Sequence, residues 1–62
     1  MLSRDELTVI LKELDPELKG DMPDYFWNKY KGIAAALGDA EALRLVKEAC
    51  QKAYAMFQDR NN

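Results

Sequence analysis

A chain of 62 residues with one cysteine, no histidine and a net charge of −2 has few routes to stability and fewer to catalysis. No intrachain disulfide can form, the usual zinc-binding patterns are out, and a chain this short buries only about 60% of its unfolded surface. Eleven acids against nine bases are too balanced for a general nucleic-acid binder and too balanced for a mimic of DNA.

Regular helix packing, oligomerisation or both are left as sources of stability. The opening MLSRDEL is charged at once and holds no apolar signal core. With the lone Cys50 it predicts a reducing, cytoplasmic setting. The longest wholly apolar run, IAAAL, is far too short to cross a bilayer. Charge is unevenly spread: residues 1–28 carry seven acids and three bases, and residues 29–62 carry four acids and six bases. The first part is net −4 and the second net +2, an asymmetry able to steer self-association or a partner.

The first helix is predicted over residues 3–14. Ser3 and Glu6 have capping-box spacing, in which each side chain satisfies a free backbone donor of the other. Leu7, Ile10, Leu11 and Leu14 then recur at i, i+3, i+4, i+7 and form one narrow stripe, with Val9 outside it. Pro16 disfavours helical geometry at Asp15, so the helix ends there and Asp15 caps a new turn. In the connection DPELKGDM, Leu18 is the expected apolar anchor and Gly20 permits a reversal.

The second helix is predicted over 23–37, with Pro23 in its first turn and Asp24 favouring the positive end of its dipole. Phe26, Tyr30, Ile33 and Leu37 form its core stripe. Tyr25 and Trp27 fall to either side of that stripe. Trp27 either covers the first helix or the 15–22 loop, or it anchors an interface. Gly38 is expected to stop the helix as a left-handed cap, and Asp39 to cap the next.

The third helix is predicted over 40–59, with the final DRNN frayed. Leu43, Val46, Cys50, Ala53 and Phe57 make one stripe, and Ala42, Leu45, Ala49 and Met56 make a second beside it. Together they span about half the helix circumference. That is more than one packing partner needs: the two shorter helices could cover the whole face, or a second copy could cover the second stripe, and the small monomer core favours a homodimer. The fold class is therefore an all-α three-helix bundle of two shorter helices and a longer C-terminal one.

Catalytic chemistry finds no foothold. Without histidine there is no ordinary Ser–His or Cys–His pair. Ser3 is explained as a cap and Cys50 as a small buried thiol. The carboxylate pairs Asp21 with Asp24 and Asp39 with Glu41 sit at helix starts, where capping accounts for them. No phosphate loop, dinucleotide fingerprint or calcium loop occurs. The expectation is a non-enzymatic protein without cofactor or metal, a small regulator, inhibitor or assembly subunit. It acts by binding protein: itself first, and a larger target second. Tyr25, Trp27, Leu45, Ala49 and Met56, all off the central stripes, are the candidate interface residues.

The alternative is a DNA-binding regulator. IAAALGDAEALRLV has a helix-turn-helix outline, with Ala34 allowing close approach and Gly38 the turn. Arg44, Lys47, Gln51 and Lys52 would face the nucleic acid. Asp39 and Arg44, however, occupy places that the motif usually fills with apolar residues. MPDYFWNKYKGIAAALGDAEALRLV resembles the N-terminal helical dimerisation region of Mor-type phage transcription activators, where a proline-led helix, a glycine and an alanine- and leucine-rich helix follow one another. The resemblance covers under half the chain and omits the DNA-binding half of those proteins. It implies a helical dimerisation or regulatory module of phage or bacterial origin.

Overall fold

The computed structural model describes residues 1–61, with side chains for residues 1–59. Three helices follow in order: α1 (Arg4–Leu14), α2 (Met22–Leu37) and α3 (Asp39–Asn61). The fraying expected of the last residues concerns, past Asp59, positions outside the described side chains.

The start of α1 follows from its sequence. The Glu6 backbone N–H donates to Ser3 Oγ at 3.1 Å, and the Ser3 N–H donates to Glu6 Oε1 at 2.9 Å. These reciprocal bonds satisfy two donors that a helix start leaves open. They also hold the Glu6 carboxyl below its ordinary pKa, the bond from the Ser3 backbone contributing most. At the far end Asp15 is extended, as a residue before proline must be, and its N–H closes the last turn on the Leu11 carbonyl at 2.8 Å. Asp15 Oδ1 then accepts from the Glu17 N–H at 3.0 Å and so builds the turn that follows. Gly20, at φ 66°, reverses the chain into α2. Asp21 precedes α2 without making a side-chain cap.

Gly38 alone joins α2 to α3. Its N–H donates to the Ala34 carbonyl at 2.9 Å, and its own carbonyl accepts from Ala42 at 3.1 Å, so it ends one helix and starts the next. Its φ of 94° and ψ of 165° lie outside the left-handed helical region, in territory that is essentially glycine-only. Asp39 is therefore inside the first turn of α3 and is not its cap. Its carboxylate lies 3.0 Å from the Met1 backbone nitrogen.

The core is Leu7 and Leu11 from α1, Leu18 from the connection, Phe26 and Tyr30 from α2, and Ala42, Val46 and Cys50 from α3. Tyr30 is fully buried, and its hydroxyl accepts from the Leu2 N–H at 3.3 Å. Its polar tip is thus satisfied while the ring is packed. Each buried aromatic or aliphatic side chain contributes roughly 1.5–3 kcal/mol.

Three expected placements are corrected. Ala42, assigned to the second stripe of α3, is fully buried, while Leu37 and Phe57, assigned to the core, are 61% and 50% exposed. Helical phase is not the cause for the last two. At 100° per residue Leu37 lies within the sector of Phe26 and Tyr30, and Phe57 within that of Val46 and Cys50. The cause is helix length. With 11 residues α1 is about 16 Å long, and the 16 of α2 and 23 of α3 give about 24 and 34 Å. Leu2 meets Tyr30 near the start of α1, so α1 does not extend along the last turns of α2, where Leu37 lies. From the shared Gly38, α3 outruns α2 by about 10 Å, and Phe57 lies in that overhang.

Candidate functional site

The four aromatics of DYFWNKY divide by phase. Phe26 and Tyr30 are buried, Trp27 is half-buried against the core, and Tyr25 is 56% exposed. Trp27 stacks on Tyr30 with ring centroids 5.7 Å apart and planes at 19°, and Lys31 Nζ sits 5.6 Å from its centroid. Part of its surface is thus covered within its own chain. Tyr25 meets Phe26 edge-on at 5.2 Å, with Lys29 6.0 Å from its ring.

On α3 the remaining candidate interface residues also divide. Leu45 and Ala49 are half-buried, and Ala49 packs against the core, whereas Met56 is 67% exposed. Tyr25 near the start of α2 and Met56 near the end of α3 lie at one end of the bundle, because the two helices run back on each other from Gly38. Of the five residues singled out in the sequence, these two present the most apolar surface.

That end of the bundle also carries a groove of about 470 Å³ between the α1–α2 connection and α3. Leu18, Met22, Ala53 and Phe57 line it, with Asp15, Glu17 and Lys19 among its lining residues. The sequence reading missed this groove because it treated Phe57 as interior. The signal was present in the mismatch of helix lengths, which sets the last turns of α3 beside the α1–α2 connection.

The four residues of the nucleic-acid alternative lie along α3, and three of them, Arg44, Lys47 and Gln51, border one shallow depression with Glu48. Their charge is largely matched. Arg44 pairs with Glu41 and, at 3.5 Å, with Glu48, and Lys52 pairs with Glu48 at 3.2 Å. The Arg44 bond holds the Glu41 carboxyl below its ordinary pKa and raises the guanidinium in return. Lys47 is the one cation of the strip without a carboxylate partner among the described residues. The turn of the proposed motif is the single residue Gly38.

Cys50 is buried, with its Sγ 3.9 Å from the Leu11 carbonyl. Burial pushes its thiol pKa up, and the Asp15 carboxylate adds to the shift. A thiol so placed is disfavoured as thiolate, the form that attacks electrophiles. Among the described residues no cluster of His, Cys, Asp or Glu is arranged to hold a metal, and no helix is long and apolar enough to cross a membrane.

No protein family, curated protein or solved structure matches the chain.

Proposed function

We propose that this chain is a small non-enzymatic, cytosolic helical protein that acts by binding protein, and that its first contact is a second copy of itself. The observation that carries the reading is the apolar surface at one end of the bundle, where Tyr25 is 56% and Met56 67% exposed. A marginal 62-residue fold gains by covering such a surface. Exposed aromatic and methionine side chains are common anchors of helical interfaces.

Size-exclusion chromatography with light scattering tests the self-association. A concentration-dependent rise toward twice the monomer mass is expected, and it should weaken in Tyr25→Ser and Met56→Ser. A strict monomer at high micromolar concentration refutes it. Both variants replace exposed side chains, so their thermal melts should stay close to that of the parent chain.

A further inference from the structure

We propose that the groove beside the α1–α2 connection is a docking site for an amphipathic helix of another protein, one whose apolar side is flanked by lysine or arginine. This rests on the protein-binding reading but not on self-association. The groove has the size of a site that takes a few side chains. Leu18 is buried and supplies an apolar floor, Met22 and Phe57 give exposed apolar walls, and the small side chain of Ala53 leaves the depth between them.

The surrounding charge selects the occupant. Asp15 and Glu17 line the groove, and Glu13 and Asp21 flank them in the chain. None of these four carboxylates has a cationic partner among the described residues, whereas Asp5, Asp24, Asp39, Glu41 and Glu48 are all paired. Lys19 is the single cation in the lining. The C-terminal poles of α1 and α3 both lie at this end, two negative poles against the positive N-terminal pole of α2. A helix laid in the groove with lysines at its edges meets unpaired carboxylates, and its apolar face meets the floor. A second copy fits worse. A two-fold contact brings the same patch from both copies, and with Lys19 as its single lining cation that patch offers little positive charge to Asp15 and Glu17.

Fluorescence anisotropy with two labelled synthetic helices tests the proposal. Both carry leucines at i, i+3, i+4 and i+7, one with flanking lysines and the other with glutamates. The lysine helix should bind the folded chain saturably and at least about tenfold more tightly than the glutamate helix, and more weakly as salt rises. Ala53→Glu should abolish that binding by filling the groove, although it adds negative charge. Glu17→Gln, at an exposed position, should weaken it several-fold without closing the site. Equal binding of the two helices overturns the proposal. So does undiminished binding to Ala53→Glu, which would reduce the effect to bulk charge attraction. If the lysine helix fails to bind and Ala53→Glu instead becomes monomeric by light scattering, the groove belongs to a second copy. A parent chain that stays monomeric but binds the lysine helix leaves this proposal standing and removes only self-association.

Discussion

Replacing Gly38 by alanine should destabilise the fold, and the size of the effect can be worked from the backbone. Nothing lies within 4 Å of the position a Cβ would take at Gly38, so the cost is conformational and not a clash. A non-glycine residue held at φ 94° and ψ 165° costs about 1–3 kcal/mol. Alanine also narrows the unfolded ensemble, which offsets about 0.4–1 kcal/mol. The net loss is about 1–2 kcal/mol, out of roughly 3–9 kcal/mol for a chain of this length. Gly32 is the internal control. It sits in the middle of α2, with open space at its Cβ position and no positive φ. There alanine should stabilise by about 0.5–1 kcal/mol. One chemical change thus acts in opposite directions six residues apart in sequence. Thermal unfolding followed by far-UV circular dichroism reads both. The Tm of Gly38→Ala should fall by about 5–15 °C and that of Gly32→Ala should rise by a few degrees. D-alanine at position 38, introduced by synthesis, favours positive φ and should recover most of the loss. Equal shifts for the two L-alanine variants would refute the assignment of Gly38 as a strained joint.

Other substitutions test the caps and the core. Ser3→Ala removes the bond to the Glu6 N–H and should cost about 1 kcal/mol in denaturant titration. The folded pKa of Glu6 lies below 4.5, so its contribution is present above that pH and is lost as pH falls below it. Glu6→Gln should therefore flatten the acid side of the stability profile, and an unchanged acid limb would argue against it. The raised pKa of Cys50 has the opposite sense: its contribution is intact below pH 9.0 and is lost as pH rises above it. Its reaction with a thiol reagent should be slow in the folded chain and should quicken with denaturant in step with unfolding. Tyr30→Phe, which leaves the Leu2 N–H without its acceptor, should cost about 1 kcal/mol, and Tyr30→Ala about 3–5 kcal/mol.

Local chemistry made the elements legible. Ser3 with Glu6, Pro16 after Asp15, Gly20 and Gly38 each mark a boundary through a backbone requirement that belongs to one or two residues. Helical phase was legible for the same reason, since Phe26, Tyr30, Val46 and Cys50 are buried as their spacing demands. What the pattern of one helix does not contain is how far its neighbours reach along it. Leu37 and Phe57 have core phase but are only partly covered by their neighbours, so both were misplaced. Ala42 was misplaced for a related reason. A face half a circumference wide does not state which sector meets α1 and α2, and packing selected the Ala42–Val46–Cys50 line. The pairing of Arg44 with Glu41 and Glu48 was open to reading from its i, i+3 and i, i+4 spacing.

If α3 simply outruns its partners, its end serves binding and adds little to folding, and shortening the chain should separate the two. Among the described residues, all eight of the buried core lie at or before Cys50. A chain ending at Ala55 keeps every one of them and loses Met56, which is mostly exposed, and Phe57, which is half-covered. Half the burial of a phenylalanine is worth about 1 kcal/mol, or about 4–8 °C in a domain of this size. The shortened chain should therefore remain helical and cooperative, with a modestly lower Tm. It should also lose both self-association and affinity for the lysine-flanked helix, since the wall given by Phe57 and the exposed Met56 are gone. Collapse of the cooperative transition would show instead that the last turns of α3 belong to the folding unit. A shortened chain that still bound the lysine helix would place the contact elsewhere on the surface.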